Sequence, residues 1–256
     1  MMSSNNVIIN PDEELHELLG YDRIKIIQKK DGFRFSADST LLSDFVETKA
    51  RTKEIIELGC GNGPILLFLT LKTNAKLYGI ELQKDIYDIA IRNVELNGFG
   101  SQIEIINDNL KGIYKKLGHD RFDIVISNPP FFKYQEDSNI NKNDYLTIAR
   151  HEVECTLDDV VKEASSLLNQ SGSLYMVHRT NRFTEVVSTF KKYNFGIRKI
   201  RFVYSKENSE DSLMFLIEGR KNMKDDCKVL KPIYIYDQFN NYTDEVLKIY
   251  NFGKKE

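Results

Sequence analysis

The chain has 256 residues, 41% apolar and 29% charged, with a formal net charge of −2. This is an ordinary balance for one large folded domain with a real core. No apolar run approaches the ~18 residues of a membrane span, and the start, Met1-Met2-Ser3-Ser4-Asn5-Asn6, lacks the charged and apolar regions of a signal peptide. A cytoplasmic protein without membrane contact is expected. The three cysteines (Cys60, Cys155, Cys227) form no C-x-x-C pair and the four histidines show no ligand spacing. Neither a disulfide framework nor a metal site is therefore expected.

In chain order, residues 1–20 read as weakly ordered, with a short helical patch over 13–19. Ile24, Ile26 and Ile27, followed by Lys30-Asp31-Gly32-Phe33, predict a hairpin turning at Asp31-Gly32, a dipeptide suited to a type I′ turn. Its return arm is 33–36. Asp38 then caps a helix whose Leu41, Leu42, Phe45 and Val46 form one apolar stripe.

From Glu54 the pattern becomes regular. Strand-like runs at 55–58, 77–80, 103–106, 122–127 and 174–177 alternate with helix-like stretches, the clearest being 84–96 and 157–168. The second of these opens with Thr156 and Asp159 in capping-box spacing and stops at 169–172. Such alternation implies a doubly wound α/β fold, a parallel sheet covered on both faces. After a helix at about 181–193, runs 197–204 and 213–218 follow without an intervening helix and should pair antiparallel at one edge. The tail offers an edge strand at 231–236 and a short helix at 243–250. The reading is one domain: an N-terminal hairpin and helix (1–50), a catalytic core (51–220) and a C-terminal strand and helix (221–256).

The chemistry gathers where strands end, because ligands in such sheets bind outside the carboxyl ends. The first strand ends in Glu57-Leu58-Gly59-Cys60-Gly61-Asn62-Gly63, followed by Pro64. A dinucleotide fingerprint would require glycine where Pro64 stands, so it fails. A carboxylate at Glu57 would repel a pyrophosphate but suits the amino and sulfonium cations of S-adenosylmethionine. Glu81, twenty residues past Gly61, holds the offset at which an acid accepts from ribose hydroxyls, with Leu82 beside it. Asp108 and Asn109 end the third strand, where an acid or amide could meet the adenine amino group. Expected cofactor contacts are thus Glu57, Gly59, Gly61, Asn62, Glu81, Leu82, Asp108, Asn109 and, nearest the chemistry, Asn128.

The fourth strand ends Ser127-Asn128-Pro129-Pro130-Phe131-Phe132. Paired prolines stiffen the backbone and offer no donors, and the residue before a proline is held extended. Asn128 therefore presents a side-chain carbonyl beside the Pro129 main-chain carbonyl. Two convergent acceptors suit an exocyclic NH₂, whose lone pair must be aimed at a methyl carbon. Phe131 supplies a face on which a flipped base can stack. Asn128, Pro129, Pro130 and Phe131 are the catalytic candidates.

The terminal hairpin on an otherwise parallel sheet resembles the class I methyltransferases, whose Rossmann-like sheet has seven strands, mostly parallel. N-P-P-F after the fourth strand resembles the amino-methyltransferases that act on adenine N6, guanine N2 or glutamine side chains. The run Q-K-K-D-G-F-R-F-S-A-D-S-T-L-L at 28–42, E-L-G-C-G-N-G, G-I-E-L-Q at 79–83, N-P-P-F-F and A-R-H-E at 149–152 further resemble the bacterial tRNA1(Val) adenine-N6 methyltransferase family. That resemblance implies a methylated adenine 37 beside the anticodon, with Phe35 and Asp38 helping to close the cofactor pocket. Alternatives are a ribosomal-RNA guanine-N2 methyltransferase, a release-factor glutamine methyltransferase, and a non-catalytic nucleotide-binding module. The glutamine enzymes carry an N-terminal helical bundle by family likeness, for which little sequence precedes Glu54.

A tRNA partner, gripped around the anticodon stem-loop, sits awkwardly with a net charge of −2. Distribution resolves it: residues 178–201 carry seven basic groups against one acid. Expected phosphate contacts are Arg179, Arg182, Lys191, Lys192, Arg198 and Lys199, with Lys29 and Lys30 from the hairpin, and Lys133 and Arg150 near the target pocket. The polar stretch 132–143 reads as a flap that orders on RNA binding.

Overall fold

In the computed structural model, residues 7–30, 37–129 and 155–251 are described. Phe35, Pro130, Phe131, Lys133, Arg150, the Asp31-Gly32 turn and the 132–143 flap lie outside them. Eleven strands are present among the described residues, two in a hairpin and nine in one sheet.

The first two strands, β1 (Glu13–Leu18) and β2 (Tyr21–Lys29), pair antiparallel, with Leu15 opposite Ile27. This corrects the helical patch expected over 13–19. Glu, Leu and His favour helix mildly, but β1 alternates in burial along its length and gains a full ladder from β2, which outweighs propensity. Ile26 and Ile27 thus pair backwards with β1, Ile24 falls in the register shift after Glu17, and the turn lies at Leu19 and Gly20, with Leu19 at φ 58°. Helix α1 (Ala37–Phe45) follows, with Asp38 inside its first turn rather than capping it.

The core strands are β3 (Glu54–Leu58), β4 (Lys76–Glu81), β5 (Ile103–Asn107), β6 (Phe122–Ser127) and β7 (Leu168–Arg179), all parallel. Helices α2 (Pro64–Leu69), α3 (Lys84–Leu96), α4 (Tyr114–Leu117), α5 (Leu157–Leu167) and α6 (Phe183–Lys192) connect or flank them. Alternate residues of one strand feed different cores: Ile55 packs with α1, α2 and α3, while Ile56 packs with α5 and α6. All six residues of α2 are buried, each large side chain contributing about 1.5–3 kcal/mol. The capping box of α5 forms as expected, with the Thr156 hydroxyl accepting from the Asp159 N–H at 3.2 Å. The helix stops where expected, at Leu167, and residues 169–172 form the irregular start of β7, where Ser171 takes φ 64°.

Strands β8 (Phe195–Lys206) and β9 (Met214–Lys221) pair antiparallel, as their linkage without a helix requires. They are the antiparallel hairpin expected on one flank of the sheet, beyond the parallel strands. β9 inserts between β7 and β8, and β10 (Lys228–Val229) and β11 (Ile233–Tyr236) cover β8 in parallel, giving the order β10-β8-β9-β7-β6-β3-β4-β5 with β11 also on β8. The sheet therefore has nine strands rather than seven. Helix α7 (Asp244–Ile249), capped by Thr243, then returns to the beginning of the chain. The Gly20 N–H donates to the Tyr250 carbonyl at 3.0 Å, the Asn251 amide donates to the Gly20 carbonyl at 2.7 Å, and the Tyr21 hydroxyl reaches the Ile249 carbonyl at 3.0 Å. A Cβ at residue 20 would stand 2.4 Å from the Asn251 oxygen, so this junction requires glycine. Among the described residues, no helix is long and apolar enough to cross a membrane.

Candidate active site at the strand ends

The turn after β3 places Gly59, Gly61 and Gly63 at φ 75°, 54° and 87°, a backbone that a side chain would strain. Space on the side where a Cβ would stand is open at all three. The turn is tied to the next strand by the Gly59 and Cys60 N–H groups, which both donate to the Ile80 carbonyl, at 3.0 and 2.9 Å. Behind it, Gly79 must also be glycine, since a Cβ there would stand 2.7 Å from the Cys60 sulfur and from Leu66. Pro64 then opens α2 at a position where its missing donor costs nothing.

Two buried acids flank this turn. Glu81 accepts from the Gly61 N–H at 3.0 Å and the Gln83 N–H at 2.8 Å, so it shapes the glycine turn as well as facing the ligand side. Glu57 is 2% exposed and its Oε2 has no hydrogen-bond partner. Burial, reinforced by the Glu81 charge, pushes its carboxyl well above the usual carboxylate range. A buried carboxyl with one unpartnered oxygen beside an open glycine cradle is suited to a cation, and the α-amino and sulfonium groups of S-adenosylmethionine fit it.

The other predicted cofactor residues divide. Asp108 forms an ion pair with Lys116, whose hydrogen bond holds the carboxyl below its ordinary range, and also accepts from the Asn109 N–H at 2.8 Å. Asn109 caps the following turn through the Lys111 N–H at 2.8 Å. Leu82 is exposed beside Glu81. Asn62 turns its amide to the Ile27 carbonyl at 3.1 Å, holding the hairpin against the glycine turn. Asp38 is buried in the first turn of α1.

At the end of β6 the Ser127 hydroxyl donates to the Leu58 carbonyl at 3.0 Å, pinning that strand end to the glycine turn. Asn128 follows, half-buried, its amide nitrogen donating to the Ser39 hydroxyl at 3.2 Å. Pro129 is half-buried next to it. Asn128, Glu57, Glu81 and the glycine turn are thus brought to the carboxyl ends of adjacent strands.

Sequence reasoning missed the amides that support this constellation. Asn93 lies on the apolar stripe of α3 and is fully buried. It accepts from the Ile27 N–H at 2.6 Å and donates to the Ile27 and Asn62 carbonyls at 3.2 and 2.9 Å. Asn97 makes the same pair of bonds with Lys25, at 2.8 and 2.7 Å. One helical turn (four residues, about 6 Å) matches two strand residues (about 6.7 Å), so α3 offers β2 the ladder a neighbouring strand would. Asn107 likewise binds the Glu81 and Leu82 carbonyls, at 2.8 and 3.0 Å. The available signal was a polar side chain at a stripe position between Ala90 and Val94.

The predicted phosphate-binding cations are mostly paired. Lys29 meets Asp12 at 2.6 Å, Lys30 the Pro11 carbonyl at 2.9 Å, Arg182 Glu185 at 2.8 Å, and Arg198 Asp226 at 2.8 Å. Lys191 meets Asp225 and Lys192 Asp158, both at 2.5 Å, and Lys199 pairs with Glu47. Lys191 and Lys192 close α6, the end remote from the strand ends that carry Asn128, whereas Arg179 ends β7 on the same side as Asn128. No cluster of metal-binding side chains occurs among the described residues.

Residues 34–203 match the family model described as Methyltransferase small domain. A tRNA1(Val) (adenine(37)-N6)-methyltransferase of Flavobacterium johnsoniae is 25% identical over 199 residues, covering 76% of this chain and 83% of that protein. An enzyme of the same name from Cytophaga hutchinsonii is 21% identical, covering 90% and 94%. Among solved structures, a predicted O-methyltransferase from Agrobacterium tumefaciens superposes with a TM-score of 0.67 at 20% identity, covering 84% of this chain and 95% of that one. A geranyl diphosphate C-methyltransferase from Streptomyces coelicolor gives 0.51 at 10% identity, covering 72% and 79%. Those two structures carry oxygen and carbon acceptors in their names, so the shared fold leaves the acceptor open. With its glycine cradle, its buried acids and two thirds of its length inside one family model, the chain belongs to the Methyltransferase small domain family, on the class I fold that takes S-adenosylmethionine.

Proposed function

We propose that the protein methylates the exocyclic N6 of an adenine in tRNA, the base beside the anticodon for which its relatives are named. The observation that carries this reading is Asn128, rigidly followed by Pro129 at a strand end pinned to the glycine turn. The Asn128 and Pro129 carbonyls accept the two amine hydrogens and orient the nitrogen lone pair. S-adenosylmethionine supplies the methyl group. Glu57 stabilises its cationic end, Glu81 accepts from its ribose, and Asp108 and Asn109 lie where the adenine would end. The amine proton leaves after transfer, so no general base of shifted pKa is required. Phe35, Pro130, Phe131, Lys133 and Arg150 complete the pocket in this reading.

The test is Asn128→Ala. Transfer of labelled methyl to tRNA from cells lacking the gene should fall by at least about a thousandfold, with cofactor affinity changed less than about threefold. Retained turnover would remove Asn128 from the mechanism. Transfer to ribosomal RNA but not tRNA would move the protein to the guanine-N2 enzymes, and nucleoside mass analysis would name the base.

A further inference from the structure

Asn93 stands in α3 beside Ile89, Ala90 and Val94 and is 0% exposed, a place where a polar side chain is tolerated only if its hydrogen bonds are made. Its partners are main-chain groups, and they leave the amide one orientation. The Ile27 N–H can only donate and meets the oxygen at 2.6 Å, while the Ile27 and Asn62 carbonyls can only accept and meet the nitrogen at 3.2 and 2.9 Å.

The second of those carbonyls belongs to the glycine turn. Asn62 lies between Gly61 and Gly63, at φ 54° and 87°, and because glycine accepts either sign of φ, the Asn62–Gly63 peptide meets little steric resistance to turning over. Hydrogen bonds at both of its ends oppose that motion. The Gly63 N–H donates to the Cys60 carbonyl at 2.9 Å within the turn, and the Asn62 carbonyl accepts from Asn93 outside it. Gly61 is gripped separately, its N–H donating to Glu81 at 3.0 Å. The turn is thus clamped by a carboxylate from β4 and an amide from α3.

Docking of the hairpin on α3 does not depend on Asn93 alone. Arg92 donates to both Glu13 oxygens, at 2.6 and 2.7 Å, and Asn97 binds the Lys25 N–H and carbonyl at 2.8 and 2.7 Å. Their bonds reach the N-terminal segment and other residues of α3, whereas Asn93 also reaches the turn. We infer that Asn93 is a positioning residue for the cofactor: its amide nitrogen holds the Asn62–Gly63 peptide, and with it the glycine turn, in the conformation that S-adenosylmethionine meets. Enclosed beneath the turn, Asn93 acts through Asn62, whichever group accepts the methyl.

Calorimetric titration with S-adenosylmethionine, under conditions where each variant is folded, tests it. Asn93→Ala frees the peptide, so binding must first restore the turn and the Kd should rise about fivefold. Asn97→Ala, which loosens the hairpin without touching the turn, should leave the Kd within about 1.5-fold of the parent. A purely structural role would lower the urea midpoint and leave the affinity of the folded protein unaltered. An unchanged Kd in Asn93→Ala therefore overturns the inference, as does an equal rise in Asn97→Ala. A parent protein that binds no S-adenosylmethionine removes the cofactor assignment and this inference with it. If Asn93→Ala does not fold, hydrogen exchange in the parent decides: by reciprocity, bound cofactor must slow exchange of the Ile27 N–H, held by Asn93, at least about threefold more than that of the Lys25 N–H, held by Asn97. Equal slowing, or none, overturns it.

Discussion

Glu57 stands where an ionised carboxylate is least favourable: buried, with one oxygen unpartnered and Glu81 nearby. Its folded carboxyl titrates above the ordinary value of 4.5, so over the interval above that pH the folded protein binds a proton the unfolded chain has lost. Stability of the cofactor-free protein should therefore fall as pH rises from about 4.5 toward the raised value. Urea melts across this range should show a shallower decline in Glu57→Gln, which has nothing to ionise there. A cationic cofactor favours the charged form, so binding at a pH between 4.5 and the raised value should release a proton in wild type and not in the variant, as read by calorimetry in two buffers. This acid was legible in the sequence because the glycine spacing marked it. Asn93 was not, because an asparagine within a helical pattern reads as a tolerated surface residue until its strand partner is known.

The β1–β2 hairpin is joined to α3 by a part-buried ion pair as well as by the asparagine ladder. Arg92 donates to both Glu13 oxygens, at 2.6 and 2.7 Å, and this contact holds the Glu13 carboxyl down to about 2. A depressed carboxyl contributes stability that is complete above the unfolded value, about 4.5, and is lost as pH falls toward about 2. Glu13→Gln should cost about 2–3 kcal/mol at neutral pH and nothing at the acid limit, with the earliest loss of hydrogen-exchange protection in β2. The runs of Ile, Leu and Val that form β3 to β6 were readable because parallel strands buried on both faces are apolar throughout. The strand β1, sequence E-E-L-H-E-L, is half solvated and identified only by its partner. Strand β10, two residues long, has no sequence signal that a loop lacks. The antiparallel pair was expected correctly, since two adjacent strand-like runs without a helix between them must pair this way, and β10 adds outside it on β8.

Across the molecule, charge is sorted by pairing more than by patch. The excess of basic residues between 178 and 201 faces acids brought from 158, 225, 226 and 245, so the local surplus seen along the chain is largely neutralised in space. Exposed pairs of this kind contribute about 0–1 kcal/mol each and give up a partner readily, so location decides which cations meet phosphate. Arg179 and Arg182 follow the strand end beside Asn128. Arg179→Ala with Arg182→Ala should lower the salt slope of tRNA binding by about 1.4–1.8, since each phosphate contact contributes about 0.7–0.9. Lys191→Ala with Lys192→Ala should leave the slope within about half a unit, and a reversed ranking would place the RNA on the opposite end of the sheet. The junction of Gly20 with Tyr250 and Asn251 sets a schedule for synthesis. The strand that braces the glycine turn through Ile27 follows Gly20, which lies 231 residues before its anchor Asn251, and so is synthesised well before that anchor emerges. A nascent chain halted before α7 would therefore carry the core strands with this outer brace still undocked.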